Sequence, residues 1–353
     1  MSQPPASTFR LYGYPVAHSA SPTLHSVIFA GLGQNKRYSL FSTSKVTQEM
    51  IDDLRSEECG GCAVTMPIKT AIIPYLDGLT PEASSTGAVN TIVKVPDHGE
   101  PSTYKLIGTN TDIFGVKNAL LRALHSQHYS LSQSKIMSPQ ARYGKSARGA
   151  GVVIGGGATT RSAVHALWTM GLESLYLVNR DAGEVEAVRA ALPHIANIIH
   201  LIHPDQVESL LVPTSPTDRT RPRILMIVGA IPSFAPITRE ERMVYTTVSS
   251  ILTIPYDREE TEVVDVVDGE LPLPKKRLFL EMPYKPRITP MVQIATAHGW
   301  HPIIGIEAMI EQGLAQQRMW ARGDASVEVG CDPSILGQLV EAGARDFVER
   351  MQE

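Results

Sequence analysis

Two short runs of this chain hold the residue types that proton transfer from an alcohol requires. Gly108-Thr-Asn-Thr-Asp112 supplies a carboxylate among hydroxyl and amide side chains, and Ala63-Val-Thr-Met-Pro-Ile-Lys69 supplies an ammonium group. Hydride removal from a polyhydroxylated substrate needs a proton acceptor, a group that orients it and donors for the other hydroxyls. A single Lys or Asp is more often a solvated surface residue. The prediction of a catalytic pair, Lys69 and Asp112, therefore depends on agreement from other segments.

Length and composition are those of an ordinary globular protein. The chain has 353 residues, 43% hydrophobic and 19% charged, with a formal net charge of −4. This length allows about two domains of ~150 residues. The charge gives no reason to expect nucleic acid or an acidic membrane as a partner. No apolar run approaches the ~18 residues of a membrane span, and the first eight residues show no secretory signal.

The three cysteines indicate a reducing compartment, so a cytoplasmic protein is expected. Their odd number and their spacing fit no disulfide framework. Cys59-Gly-Gly-Cys62 has the spacing of half a zinc site or of a redox pair, but no second pair or histidine cluster completes a zinc site. The glycines are typical of a turn that enters a strand. We therefore predict buried or idle thiols and no metal.

Apolar runs alternate with helical patterns in the first third of the chain. Strands are predicted at 11–16, 61–65 and 88–93, and a helix is predicted from Pro22 to about residue 31. Strands that alternate with helices imply a largely parallel sheet. The predicted fold class is α/β.

A glycine-rich turn in the middle of the chain predicts a dinucleotide site. It follows an apolar strand at 151–154, precedes a helix at 161–170, and is followed by a second strand at 175–178. Glycines here let the backbone approach a pyrophosphate, and the helix N-terminus offers free N–H groups. The alternative is a structural turn without ligand, but the complete βαβ context favours binding. The candidate cofactor-binding residues of the turn are Gly155, Gly156, Gly157, Ala158 and Thr159.

Three residues at the end of the second strand bear on the choice between NAD and NADP. Asp181 is expected near the adenosine ribose, where a carboxylate accepts hydrogen bonds from a 2′-hydroxyl and repels a 2′-phosphate. Arg180 acts in the opposite sense, because a guanidinium stacks on adenine or pairs with that phosphate. Asn179 precedes both, and no further Arg or Lys follows before Arg189. The balance favours NAD, with NADP as the alternative.

The rest of the chain is assigned on the same grounds. Residues 125–147 have little apolar periodicity and are interpreted as a surface insertion. Later strands of the nucleotide sheet are predicted at 224–228 and 278–280, loops at 213–223 and 255–276, and helices at 307–320 and 333–351.

Several motifs together resemble the shikimate and quinate dehydrogenases, most closely the stand-alone fungal quinate dehydrogenase type. They span about residues 11–320 and keep one order along the chain, which is hard to obtain by chance. The matching segments are Gly13-Tyr-Pro-Val-Ala-His-Ser-Ala-Ser-Pro22, Val64-Thr-Met-Pro-Ile-Lys69, Gly87-Ala-Val-Asn-Thr91, Gly108-Thr-Asn-Thr-Asp112, the glycine turn, Tyr284-Lys-Pro286 and residues 305–312.

The resemblance implies a two-domain fold with the chemistry in the cleft between the domains. An N-terminal α/β substrate-binding domain, residues 1–117, would be completed by C-terminal helices in 306–353. A Rossmann-type NAD(P)-binding domain, residues 118–305, would be inserted between them.

The resemblance also assigns roles to individual residues. Lys69 would accept the proton of a secondary alcohol as hydride leaves to the nicotinamide, and Asp112 would hold amine and hydroxyl in line. For the substrate, the resemblance implies that Ser19 and Ser21 contact the carboxylate and that Thr65, Asn90 and Gln312 contact ring hydroxyls. It also implies that Tyr284 contacts the substrate from the nucleotide domain and that Gln316 assists. Gly305 would contact the cofactor. Without the resemblance, the two serines and Thr65 would be read as ordinary turn or cap residues.

Four positions depart from the family pattern. Ala63 replaces a usual Asn, Ala158 a common third glycine, Gly229-Ala-Ile231 the usual Asn-Ala-Thr near the nicotinamide, and Glu281 a frequent Asp. None of these removes the predicted Lys–Asp pair, but they bear on cofactor and substrate choice.

The sequence supports two functions from different classes. The first is an NAD(P)-dependent dehydrogenase, monomer or homodimer, that oxidises quinate or shikimate to the 3-dehydro ketone; the two acids differ by one ring hydroxyl and a double bond, so both stay open. The alternative is a non-catalytic sensor that binds metabolites of this pathway. The changes at Ala158 and 229–231 favour the sensor, and retention of Lys69 and Asp112 favours the enzyme.

Overall fold

The computed structural model describes residues 7–97, 103–215, 218–256 and 269–351. Its strands are β1 (Thr8–Gly13), β2 (Arg37–Ser42), β3 (Cys59–Val64), β4 (Gly78–Leu79), β5 (Thr91–Pro96), β6 (Tyr104–Thr109), β7 (Gly149–Ile154), β8 (Ser174–Val178), β9 (Ile198–Leu201), β10 (Arg223–Gly229), β11 (Leu278–Glu281) and β12 (His301–Ile303). Its helices are α1 (Ser21–Gly31), α2 (Gln48–Arg55), α3 (Pro81–Thr86), α4 (Asp112–Gln127), α5 (Gln133–Ile136), α6 (Ala158–Thr169), α7 (Ala182–Ala191), α8 (Pro204–Leu211), α9 (Arg239–Leu252), α10 (Pro290–Ala297), α11 (Gly305–Arg322), α12 (Val327–Cys331) and α13 (Gln338–Met351). The predicted α/β fold class is confirmed.

The chain divides into two compact units. The first contains residues 1–115 and 309–353, and the second contains residues 116–308. Each unit holds one six-stranded sheet.

The sheet of the first unit has the strand order β2-β1-β3-β5-β6-β4. β1 runs parallel to both β2 and β3, but β5 is antiparallel to β3 and to β6. Five of the six strands run in the same direction, so the sheet is largely parallel as expected, and β5 is the exception. The connection 97–103 is too short for the crossover of a dozen or more residues that parallel pairing of β5 with β6 would need.

Two apolar clusters cover the two faces of this sheet. One includes Tyr12, Leu54 and Ile92, and the other includes Phe9 and Trp320. The glycines of the Cys59-Gly-Gly-Cys62 run serve this packing and form part of β3, which begins two residues before the strand predicted at 61–65. A Cβ at Gly60 would lie 2.4 Å from the Phe9 ring, and one at Gly61 (φ +145°) would lie 2.5 Å from the Trp320 ring. Both thiols are buried, with their sulfurs 3.4 Å apart.

The sheet of the second unit is wholly parallel, in the order β12-β11-β10-β7-β8-β9. Its strands are runs of Val, Ile and Leu, as expected for strands buried on both faces. The predicted βαβ unit is present as β7-α6-β8, and the strands predicted near 224 and 278 belong to the same sheet. This is the Rossmann-like arrangement that the glycine turn indicated.

The segment 125–147 is not an open surface insertion. Ile136, Ala141 and Tyr143 are buried, and the Tyr143 N–H donates to the Met170 carbonyl at 2.7 Å. The few apolar side chains of this segment point inward without a regular period, so periodicity could not find them. Of the two predicted loops, residues 216–217 and 257–268 lie outside the described residues. Within the described residues, no helix has the length and apolar character needed to cross a membrane.

Candidate active site

The candidate catalytic residues of the first unit gather at one edge of its sheet. This edge is formed by the carboxyl ends of β1, β3 and β6 and by the amino end of β5, because β5 alone among these four runs the other way. Ser19 and Ser21 follow β1, Thr65 and Lys69 follow β3, and Asp112 follows β6. Asn90 immediately precedes β5 and so reaches the same edge.

Lys69 and Asp112 form an ion pair. The Lys69 Nζ lies 2.5 Å from the Asp112 Oδ2, and the two side chains are 11% and 13% exposed. The Lys69 backbone is fixed by its carbonyl, which accepts from the Val89 N–H at 2.9 Å. Asp112 is the first residue of α4, so its carboxylate also lies at the positive end of a 16-residue helix. The two runs therefore bring together the pair that the sequence predicted.

Asn90 orients the carboxylate of this pair. Its Nδ2 donates to the Asp112 Oδ1 at 2.7 Å, and its Oδ1 accepts from the Thr111 N–H at 2.7 Å. A backbone N–H can only donate, so the Thr111 N–H fixes which end of the Asn90 amide is the oxygen. The amide hydrogens must then face Asp112. Each oxygen of the carboxylate has its own donor, one from Lys69 and one from Asn90.

Two glutamines on α11 extend the network within the first unit. The Gln312 Oε1 lies 3.4 Å from the Asn90 Nδ2 and 3.3 Å from the Thr111 Oγ1. One turn further on, the Gln316 Nε2 donates to the Thr91 Oγ1 at 2.9 Å. Thr91 in turn donates to the Asn90 Oδ1 at 2.8 Å. Gln316 is 1% exposed, so it supports the site from beneath rather than lining an open surface.

The remaining polar residues predicted for the substrate lie on neighbouring loops of the same edge. The Ser19 Oγ accepts from the Ser21 N–H at 3.2 Å at the start of α1. Thr65 is half-buried, and its Cγ2 would be 2.4 Å from a Cβ on Gly13. The loops after β1 and β3 therefore run side by side. Contact of these three side chains with a substrate stays a prediction.

The glycine turn of the second unit has the shape that a pyrophosphate requires. Gly155 adopts φ +137°, and no atom of the described residues beyond the chain neighbours lies within 4 Å of the position that a Cβ on Gly157 would occupy. Gly157 caps α6 without a side-chain hydrogen bond, so the first N–H groups of this 12-residue helix have no side-chain cap. Ala158 and Thr159 form the first turn of α6. These residues fit the diphosphate of a dinucleotide.

Asp181 is engaged differently from the expectation. Its Oδ1 accepts from the Gly183 N–H at 2.7 Å and from the Glu184 N–H at 3.2 Å, so it caps α7. The carboxylate beside the glycine turn belongs to Glu184, whose Oε2 would be 2.2 Å from a Cβ on Gly156 and accepts from the Asn179 Nδ2 at 2.8 Å. Sequence reasoning missed Glu184. Its place as third residue of α7, three after the capping Asp, directs it back toward the strand end.

Two of the departures from the family pattern occupy the same space. A Cβ on Gly229 would lie 2.0 Å from the Glu281 Oε2, so the longer acid fills the space that a side chain at 229 would need. Glu281 is 2% exposed. Burial raises its pKa to about 8, and a hydrogen bond with the Thr289 side chain opposes this in part.

The last two predicted residues also lie in the second unit. Tyr284 follows β11 and is half-buried. Gly305 begins α11 against the end of β11, where a Cβ would lie 2.3 Å from the Met282 carbonyl oxygen and 2.6 Å from that of Glu281. The absence of a side chain at 305 is thus explained by packing. A role for Gly305 in cofactor binding and for Tyr284 in substrate binding stays a prediction.

Comparison with known proteins finds a family match in the first unit and a relative that aligns with most of the chain. Residues 11–92 match the family model of the shikimate dehydrogenase substrate binding domain. Over 314 residues the chain is 32% identical to the pentafunctional AROM polypeptide of Schizosaccharomyces japonicus, a match that covers 88% of this chain and 17% of that polypeptide.

Solved structures extend the likeness to the fold. The dehydroquinate dehydratase and shikimate dehydrogenase from S. pombe AroM is 28% identical with a TM-score of 0.64, covering 89% of this chain and 50% of that one. Quinate dehydrogenase from Corynebacterium glutamicum in complex with NAD is 18% identical with a TM-score of 0.60, covering 89% and 93%, and shares the fold. The chain thus spans half or less of the two relatives from Schizosaccharomyces. Residues 11–92 thus belong to the shikimate dehydrogenase substrate binding domain family, and most of the chain is similar to shikimate and quinate dehydrogenases.

Proposed function

We propose that this protein oxidises a secondary ring hydroxyl of quinate or shikimate to the 3-dehydro ketone, and catalyses the reverse reduction, with NAD as preferred cofactor and NADP as the alternative. The observation that carries the proposal is the Lys69–Asp112 pair, 2.5 Å apart, with its second carboxylate oxygen bound by Asn90. A protein that only binds a polyol needs hydroxyl and amide groups but has less need of a partly buried amine beside a carboxylate. No comparison favours the sensor alternative.

The proton moves between the substrate hydroxyl and the amine of Lys69. In the oxidation, the neutral amine form of Lys69 takes the hydroxyl proton at Nζ and becomes the ammonium, while the C–H bond on the same carbon breaks. Asp112 holds the amine in place through Oδ2 and stabilises the ammonium that forms. The nicotinamide, when bound, accepts the hydride. Asn90 keeps the carboxylate from rotating, because its amide is itself fixed by the Thr111 N–H.

The substrate class follows from the polar groups at the same sheet edge. Thr65, Asn90 and Gln312 offer hydroxyl and amide groups suited to ring hydroxyls, and Ser19 and Ser21 offer donors for a carboxylate. An apolar pocket would reject a polyhydroxylated acid, whereas these five side chains all offer hydrogen-bonding groups. We propose a cytoplasmic enzyme that acts on the free acid as a monomer or homodimer.

The cofactor preference is supported by a carboxylate near the end of β8. Glu184 brings negative charge to the space beside Gly156, which disfavours a 2′-phosphate, whereas Asp181 is engaged as the cap of α7.

The proposal is tested by Lys69→Ala, with Lys45→Ala as a matched control on an exposed lysine of the same unit. Absorbance at the nicotinamide band is followed with quinate or shikimate and with NAD or NADP. Turnover of Lys69→Ala should fall at least ~10²-fold, since a positioned general base contributes about 10²–10⁴. Substrate binding measured by calorimetry should persist, and Lys45→Ala should match the wild type. Unchanged turnover in Lys69→Ala would remove Lys69 from the mechanism, and wild-type inactivity in all four combinations would refute the enzyme itself.

A further inference from the structure

We infer that Glu184 is the residue that selects NAD over NADP, because its carboxylate occupies the space beside Gly156 and next to the end of β8 where a 2′-phosphate would have to lie. The inference rests on the proposed function, since it concerns the cofactor of that reaction. The sequence alone had pointed to Asp181 as the carboxylate that favours NAD over NADP; the structure points to Glu184 instead.

The first step is the position of the Glu184 carboxylate. In a Rossmann fold the adenosine ribose lies between the glycine turn and the end of the second strand, where an acidic side chain binds its 2′-hydroxyl. The Glu184 carboxylate contacts both of these segments. Its Oε2 accepts a hydrogen bond from Asn179 at the end of β8 and lies against Gly156 of the turn. A Cβ on Gly156 would be 2.2 Å from this oxygen, so the glycine is what leaves room for the carboxylate.

The second step is the capacity of this group to bind a ribose. A carboxylate has about four acceptor sites on two oxygens, and Asn179 uses one of them on Oε2. Glu184 is exposed to solvent, so a ligand can reach the remaining sites. Asp181 has fewer sites left, because its Oδ1 already accepts from the N–H groups of Gly183 and Glu184, and these bonds hold its carboxylate at the start of α7.

The third step is the state of Arg180, a nearby cation that would favour a phosphate. Its guanidinium is paired with the Glu241 carboxylate. Glu241 is held ionised, because the N–H groups of Thr238 and Ile237, followed by Arg180, lower its pKa to about 2. Arg180 is therefore neutralised by a partner that stays charged at any working pH. Its pairing leaves the Glu184 carboxylate as the charge that a ribose substituent meets first.

The test measures binding of reduced dinucleotides by fluorescence titration, so it does not depend on turnover. The variants are Glu184→Gln, which keeps the shape and removes the charge, and Glu184→Arg, which reverses it. Two matched controls remove a charge from the same helix region: Glu186→Gln, an exposed residue paired with Arg189, and Asp181→Asn, which keeps a capping oxygen.

The wild type should bind NADH more tightly than NADPH. Glu184→Gln should lower the ratio of the NADPH to the NADH dissociation constant at least about tenfold, the order expected for removing one unit of repulsion from a nearly doubly charged phosphate near water. Glu184→Arg should invert the ratio, and both controls should leave it within about twofold.

Three outcomes would overturn the inference. A ratio unchanged in Glu184→Gln would show that the carboxylate does not face the 2′ position. A ratio that shifts in Asp181→Asn instead would return the selection to Asp181, and tighter binding of NADPH by the wild type would contradict the selection of NAD altogether. Binding of neither dinucleotide by the wild type would refute the proposed function and the inference with it, whereas the first three results leave the dehydrogenase proposal standing.

Discussion

The Lys69–Asp112 pair makes a prediction that can be checked without any substrate. Its two members do not depend on each other equally. If Lys69 is replaced by Met, the Asp112 carboxylate keeps the Asn90 amide at 2.7 Å and the N-terminus of α4. If Asp112 is replaced by Asn, Lys69 loses the one hydrogen-bond partner that its ammonium has among the described residues. The new amide also has a single oxygen for the two donors that face it.

The expected free-energy changes follow from this asymmetry. Removing one partner of a buried pair costs about 3–5 kcal/mol, and a side chain that is about one-tenth exposed places Asp112→Asn near ~3 kcal/mol. Lys69→Met should cost about 1–2 kcal/mol, the loss of one charge-assisted hydrogen bond. In the double variant no charge is left uncompensated, so its cost should stay at about 1–2 kcal/mol. The coupling energy of the pair is then about 3 kcal/mol.

Urea unfolding of the wild type, both single variants and the double variant, at one pH and one salt concentration, measures this coupling. The double variant should be more stable than Asp112→Asn alone. Additivity within about 0.5 kcal/mol, the level expected of independent sites, would refute the reasoning. So would a larger loss in Lys69→Met than in Asp112→Asn, because the Asn90 amide and the helix terminus would then be giving Asp112 no independent support.

Two further predictions concern buried polar groups. Burial raises the pKa of Glu281 from 4.5 to about 8, so between these pH values the folded protein holds a proton that the unfolded chain releases. The contribution of Glu281 to stability is therefore full below about pH 4.5 and is lost as pH rises toward 8. The free energy of unfolding of Glu281→Gln, measured in urea, should fall less over this window than that of the wild type, by on the order of a few kcal/mol; equal slopes would contradict the assignment. Thr91→Val should lower the free energy of unfolding by about 1–3 kcal/mol, because it removes the hydroxyl that accepts from the buried Gln316 Nε2 at 2.9 Å. Thr91→Ser keeps this hydroxyl and should be close to the wild type in stability. A Val variant as stable as the wild type would show that the hydroxyl is not needed.

The sequence contained the catalytic pair but not the reason why it forms. Lys69 and Asp112 were found because each lies in a short run of polar residues. Asn90 reaches them only because β5 is antiparallel, which the prediction of a largely parallel sheet missed. The signal was available, since seven residues between β5 and β6 cannot hold a crossover helix. Strand direction depends on the length of connections, which apolar periodicity does not report.

Other features of the site could not be found from local sequence. Glu184 faces the glycine turn only because α7 begins at Ala182, which makes it the third residue of that helix, and helix boundaries are uncertain by one or two residues. The glycines of β3 looked like a turn, but they receive the rings of Phe9 and Trp320, one of them some 260 residues away in the chain. Packing between distant segments leaves no local pattern.

The departures near the expected nicotinamide position are best understood as one exchange rather than as decay of a site. Loss of a side chain at Gly229 and lengthening of the acid at Glu281 look, in sequence, like two independent changes. In the structure the Glu281 carboxyl fills the space that a Cβ on Gly229 would need, at 2.0 Å from Oε2. The two departures are therefore coupled through packing at the carboxyl ends of β10 and β11. A folded protein needs this packing whether or not it binds a dinucleotide, so the changes at 229 and 281 do not by themselves indicate loss of the site.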